Sequence, residues 1–231
     1  MMEHSILDRP VWNSLSTLHC EHSRGTELAK RFESNISPFG SSIDDKPESL
    51  SELIKLIPAE GNIMYMQVDE LVCPVDGHFV QQGIGIQMVF KNFKKQPEMT
   101  CELIDLSDDD AKEMLSLAEL TNPGPFLERT HCLGDFIGFK IDGKLVAMAG
   151  ERLKQPGYTE ISGVCTHPDF RGRGLAAQLI TAMTIRILDR HEVPYLHAFA
   201  NNTAAIKIYN RLGFEHRTYV NVAVLEHKQQ A

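Results

Sequence analysis

Apolar and polar positions recur along the chain in two periods, and these lay out most of its elements. Alternation with β-branched and aromatic enrichment predicts strands over residues 63–68, 84–90, 100–105, 159–166, 195–200 and 214–225. Runs 136–141 and 144–150 flank Asp142-Gly143, and an Asp-Gly pair between two such runs is the strongest short-range hairpin signal. Leu175, Leu179, Ala182, Met183 and Ile187 instead recur at helical spacing, predicting a helix that ends near His191. A second helix spans 203–212, with Gly213 placed to close it in the left-handed conformation. Ser107 caps a third that carries Met114, Leu115, Leu117 and Ala118, and Asp110 three residues on weakly echoes a capping box.

Upstream the pattern is looser. Residues 11–32 have a loose helical pattern, and 48–56 read as a short helix with Ser49 or Ser51 near its start. Residues 91–97 are polar, end in Pro97 and lie between two strand-like runs, which predicts a seam there. The expected division is an N-terminal extension over 1–97 and a second domain over 98–231. After the seam the order β-α, hairpin, β-α-β-α-β predicts an α/β fold, α+β in detail: a mixed sheet with helices packed on it.

Composition narrows the function classes. The 231 residues can bury a real core, and 42% hydrophobic with 23% charged residues is ordinary for a globular protein. A formal charge of -8 without a long Lys/Arg run argues against nucleic acid as a partner; Lys91, Lys94 and Lys95 read as a solvated loop. Five scattered cysteines without a CxxC pair suit a reducing compartment. Residues 1–10 carry no apolar signal core, and no apolar run reaches the ~18 residues of a membrane span. A cytoplasmic protein that binds no membrane is expected.

The segment Arg171-Gly172-Arg173-Gly174 falls where a strand passes into a helix. Glycines there permit positive φ and close approach of a ligand, and successive N–H groups can face one concavity backed by the positive end of the helix dipole. Such a turn favours phosphate, with Arg171 and Arg173 as added charge; a tight turn with two solvated arginines is the plainer alternative. No Gly-Lys-Ser/Thr closes it, so it is not a Walker turn, and the third glycine of a dinucleotide turn is missing. Gly83-Ile84-Gly85 lacks that glycine too, and the helix that should follow; it reads as a strand-edge pair.

In its flanks the turn, from His167-Pro168-Asp169-Phe170 to Leu175-Ala176, closely resembles motif A (R/Q-x-x-G-x-G/A) of the GNAT superfamily of N-acetyltransferases. Asn202 to Phe214 is similar to motif B (N-x-x-A-x-x-x-Y-x-x-x-G-F). The resemblance covers about residues 99–226; faintly, Val11-Trp12-Asn13-Ser14-Leu15 also resembles the N-terminal extension of a two-part subgroup. The resemblance implies a mostly antiparallel GNAT-type sheet and acetyl-CoA as acyl-donor cosubstrate, without a metal. The extension would be a degenerate GNAT-like half or a cap.

Site roles follow from the same resemblance. Val164, Cys165 and Thr166 would pair their backbone with the pantetheine arm, and Arg171, Gly172, Arg173, Gly174, Leu175 and Ala176 would take the pyrophosphate. Asn202 would cap its helix and bond the arm, Tyr209 would protonate the departing thiolate, and Glu160 would be the base, or else a surface carboxylate. Glu160 is expected to share a face with Ser162 and Val164. Cys165 reads as a small buried strand residue rather than a nucleophile, and His167 as a residue that shapes the turn.

Other clusters read blandly. His19-Cys20-Glu21-His22 is expected to be an exposed polar patch, and Asp108-Asp109-Asp110 to sit at a helix N-terminus. The leading function is direct acetyl transfer from acetyl-CoA to an amine; a catalytically inactive acetyl-CoA-binding sensor and a longer acyl donor are the competitors. The expected acceptor is a small-molecule amine or amino-acid-like compound, shaped by residues 106–133 and the N-terminal part, and the acidic balance would suit a cationic one. A second copy of the chain, as a homodimer, is the expected protein partner.

Overall fold

The computed structural model describes residues 5–94 and 96–228, so residues 1–4 and Lys95 of the expected lysine cluster lie outside the described residues. The chain first forms α1 (Pro10–Ser16), β1 (Ser23–Gly25), β2 (Ala29–Phe32), β3 (Phe39–Ser42), α2 (Pro47–Lys55), β4 (Ile63–Gln67) and β5 (Gly77–Phe90). It continues with β6 (Ile104–Leu106), α3 (Ala111–Thr121), β7 (Phe136–Ile141), β8 (Lys144–Gln155) and β9 (Tyr158–Thr166). The last elements are α4 (Leu175–Asp189), β10 (Val193–Phe199), α5 (Thr203–Leu212) and β11 (Phe214–His227).

Among the described residues all eleven strands join one sheet, in the order β1-β2-β3-β4-β11-β5-β10-β9-β8-β7-β6. Only β3/β4 and β9/β10 pair in parallel, so the sheet is mixed and mostly antiparallel, flanked by helices. The strand β5, from before the seam, lies between β10 and β11 from after it and is antiparallel to both. Its Ile86 and Met88 share a core with Ile137 and Phe139 and with the α4 residues Leu179, Ile180, Met183 and Ile187. Burying each such side chain contributes roughly 1.5–3 kcal/mol. A second core mixes Leu7, Val11, Leu15 and Phe32 with Leu153, Tyr195 and Val220.

Local chemistry accounts for the boundaries. Asp142 and Gly143 turn the β7–β8 hairpin with φ of 51° and 75°, as a two-residue turn with positive φ at both positions requires. Ser107 and Asp110 form a capping box ahead of α3, and Gly213 closes α5 at φ 105° with its N–H donated to the Tyr209 carbonyl at 3.1 Å. Gly83 and Gly85 lie inside β5.

Two expectations require correction. Of residues 11–32, only the stretch up to Ser16 is α-helical, with one further 3-10 turn at Cys20–His22; the apolar pair Ala29 and Phe32 marks the two buried ends of β2. In 100–105 only Ile104 and Asp105 are paired, as part of β6, against Gly138 and Ile137. Helix α2, Pro47–Lys55, falls within one residue of the expected 48–56 with Ser49 in its first turn; Asp44 accepts from the Lys46 N–H at 3.2 Å and the Ser49 hydroxyl at 2.6 Å. No helix among the described residues is long and apolar enough to cross a membrane.

Candidate active site

The cleft exists because two parallel strands part. Pairing of β10 with β9 ends at Tyr195 opposite Glu160, yet β9 runs on to Thr166. Beyond that point β9 is held from its other side by β8, which pairs Met148 with Cys165 and Ala147 with Thr166. One edge of β9 is thus left without a strand partner. Gly163, at φ 61°, lies within a register shift between these strands: two residues separate Ser162 from Cys165 where one separates Met148 from Gly150. Such a bulge re-aims a strand. It also breaks the expected count: the period-two phase from Glu160 is not carried to Val164.

The parted strands enclose a cleft of about 440 Å³. Val164, Cys165, Thr166, Arg171 and Ala176 line one wall, closed by Asn202 and Tyr209 of α5. The hydroxyl of Thr166 is buried with no partner among the described residues, so it is available to a ligand. Gly172, Arg173, Gly174 and Leu175 do not line the cleft. The first three form the turn between β9 and α4, while Leu175 is buried in the core. Gly172 and Gly174 have φ of 78° and 76°, and a Cβ at Gly172 would meet open space. Gly174 caps α4 without a side-chain bond, leaving the first N–H groups of a fifteen-residue helix open. Arg171 donates from Nε to the Thr166 carbonyl at 3.3 Å, and Arg173 lies 4.8 Å over the Phe170 ring. His167 accepts the Asp169 N–H through Nδ1 at 3.3 Å and so braces the turn.

Asn202 is the N-cap of α5, its Oδ1 accepting the Ala205 N–H at 3.2 Å, which leaves the amide NH₂ free to donate. Tyr209 packs its ring edge-on to Phe214 at 6.3 Å. Burial, and secondarily the charge of Glu160, pushes its phenol up to about 12. Cys165 is free, and burial pushes its thiol up to about 11, so it is held as the neutral thiol.

Glu160 is neither a surface carboxylate nor part of the cleft lining. Arg152 donates to both of its oxygens, from Nε at 2.9 Å and Nη2 at 2.5 Å, and His197 Nδ1 lies 2.8 Å from Oε1. Burial pushes the carboxyl up, but Arg152 and His197 together outweigh it and hold it at about 2. The chain of contacts continues: Gln87 donates from Nε2 to His197 Nε2 at 3.0 Å and accepts from Arg217 at 2.7 Å, and Arg217 pairs with Asp8. His197 and Arg152 both line the cleft.

Sequence reasoning did not find these two. A Pro156-Gly157 turn would pair the segments around it and bring Arg152 toward Glu160, although a register shift between Glu151 and Lys154 blurs the count. For His197 no local signal exists. The expected histidine patch is also corrected: His19 is buried, bonded to the Ser14 hydroxyl at 2.8 Å and the Leu133 carbonyl at 2.9 Å, and burial lowers it to about 4. The run Asp108 to Asp110 does start a helical segment, and Asp108 and His131 are in contact at 3.0 Å.

Comparison with known proteins identifies the family. Residues 137–222 match the family model described as FR47-like protein. No curated protein matches the chain. Among solved structures, a GNAT-family protein from Novosphingobium aromaticivorans is 35% identical over 96% of this chain and 99% of its own, with a TM-score of 0.89. A GCN5-related N-acetyltransferase from Kribbella flavida shares the fold at 17% identity, 97% and 96% coverage and a TM-score of 0.68. A GNAT-family acetyltransferase from Colwellia psychrerythraea does so at 16% identity over 73% of this chain and 65% of its own, with a TM-score of 0.52. The chain therefore belongs to the GNAT family of acetyltransferases.

Proposed function

We propose that the chain moves an acetyl group from acetyl-CoA to a primary amine by direct attack, with both substrates bound together. The observation that carries this reading is the unpaired edge of β9, which ends at a glycine turn and faces Tyr209 across one cleft. A pantetheine arm is an amide chain, and a free strand edge offers it main-chain partners as an added strand would. Val164 to Thr166 would hold the arm, helped by the Thr166 hydroxyl and the Asn202 amide. The turn from Arg171 to Ala176 would hold the pyrophosphate, Leu175 by its backbone alone since its side chain is buried. Acetyl-CoA supplies an acetyl group already activated as a thioester. A backbone N–H of the same β9 stretch would donate to its carbonyl as charge develops there.

Tyr209 is the acid in this reading. A phenol at about 12 looks too weak to serve a thiolate of ordinary pKa near 8.5. Burial in the cleft would raise a bound thiol in the same direction as it raises the phenol, because both lose water in their charged forms, so the donor would still suit the sulfur it protonates.

Glu160 fits the role of base poorly. Both of its oxygens are bonded and its carboxyl is held at about 2, so it has little affinity for a proton. We assign it to anchoring Arg152 and His197 on the cleft wall, with the amine losing its proton to water before attack.

Replacing Tyr209 by Phe should lower kcat by about 10²- to 10⁴-fold while acetyl-CoA affinity stays within about twofold, read by thiol release and calorimetry. Undiminished turnover would remove Tyr209 from the chemistry. The same assay against pH should show wild-type rate rising until the amine's own pKa; a plateau near neutral pH for amines of pKa about 10 would restore a protein base.

A further inference from the structure

The wall of the cleft opposite the β9 edge differs in kind from the one just described. It is made by Phe39 of β3, Met64 and Met66 of β4, and Val220 and Val222 of β11. Register brings these together, with Phe39 beside Met64 and Met66 beside Val222. All five side chains are apolar.

The charges that face this space are of one sign. Arg152 stacks its guanidinium 5.0 Å from the Phe39 ring centroid, and Arg171 lines the other wall. Among the described residues no Asp or Glu lines the cleft. The one carboxylate behind it, Glu160, is already bonded to Arg152 and His197. A formal charge of -8 is therefore carried elsewhere on the molecule, and the expectation of a cationic acceptor drawn from it does not describe the cleft. A second ammonium carried onto the five-residue apolar wall would lose its water with no acceptor or carboxylate on that wall to replace it, which is unfavourable.

We propose that the acceptor is a primary amine with an apolar body and a single positive charge, its body lying against Phe39, Met64, Met66, Val220 and Val222. Polyamines and other polycationic amines are rejected. This rests on the amine-acetylating reading above and names its substrate class.

The test is an initial-rate comparison on the full chain with acetyl-CoA as donor. The acceptors are n-alkylamines from propylamine to hexylamine, each from butylamine upward paired with the α,ω-diamine of equal carbon count. The ratio kcat/KM should rise about fourfold per added methylene and fall about tenfold or more from each monoamine to its diamine. A flat alkyl series, or diamines preferred, overturns the inference while leaving acetyl transfer standing. Octanoyl-CoA outrunning acetyl-CoA with a flat amine series also overturns it, because the apolar wall would then belong to the acyl chain. In a folded Met64→Glu variant, a carboxylate at a half-buried position should move the diamine-to-monoamine ratio upward by about tenfold; an unchanged ratio overturns the placement. Binding of acetyl-CoA by calorimetry with no thiol release for any amine sinks the acetyl-transfer reading and this inference with it.

Discussion

The two walls of the cleft come from different parts of the chain and work by different means. The β9 wall and its turn are contiguous in sequence, from Val164 to Ala176, and offer mainly backbone: a free strand edge, glycines and the start of a helix. The opposite wall is assembled from β3, β4 and β11, whose residues range from Phe39 to Val222, and all five of its side chains are apolar. A main-chain surface can keep its ligand while its side chains drift, provided glycine stays where φ is positive. A side-chain surface changes its ligand with each substitution.

The comparison can be broken at several points, and the largest effect concerns whether the walls are separable at all. A chain beginning at residue 98 lacks β5, which stands between β10 and β11. It should show no cooperative thermal transition by circular dichroism, whereas a sharp one would mean that the second part is complete without β5.

Next in size is the tie between the parts, where His19 bonds the carbonyl of Leu133. That carbonyl can only accept, so Nε2 carries the proton and Nδ1 accepts from Ser14. Its folded pKa of about 4 lies below the ordinary 6.5, so between these values the unfolded chain binds more protons. Stability contributed here is complete above pH 6.5 and lost as pH falls toward 4, by up to about 3 kcal/mol. Urea unfolding at pH 7 and pH 4.5 measures it, and His19→Gln should remove most of the difference; an equal slope in both proteins would acquit His19.

The smallest effect isolates the backbone wall. Gly172→Ala adds a methyl into open space at φ 78°, so its stability should fall by only about 1–2 kcal/mol. The methyl would intrude where the pyrophosphate is proposed to lie, and acetyl-CoA affinity should weaken about tenfold in calorimetry. Unchanged affinity would place the phosphates elsewhere.

How much of this was legible follows the same division. The hairpin at Asp142-Gly143, the cap at Ser107, helix α5 and its Gly213 closure, and the glycine turn all depend on neighbours within a few residues. What escaped depends on register between distant strands. The placement of β5 beside residues more than a hundred positions away, the Arg152-Glu160-His197 cluster and the apolar wall are of this sort. The bulge at Gly163 shows the limit closely, because one extra residue undid a face assignment that strict alternation had licensed. His19 misled for a related reason: its burial is set by Leu133, far along the chain.

The position of β5 has a further consequence, in time. As a ribosome makes this chain, β5 emerges with Ile86, Met88, Val89 and Phe90 ready to be buried, and both of its sheet neighbours are still unmade. The first, β10, begins at Val193, roughly a hundred residues later. At ~5–20 residues per second the strand waits some 5–20 s for it, and longer for β11. During synthesis the protein is therefore a half-sheet with a sticky edge. Its completion is an end-of-translation event, open throughout that interval to chaperones and to mispairing with other nascent copies.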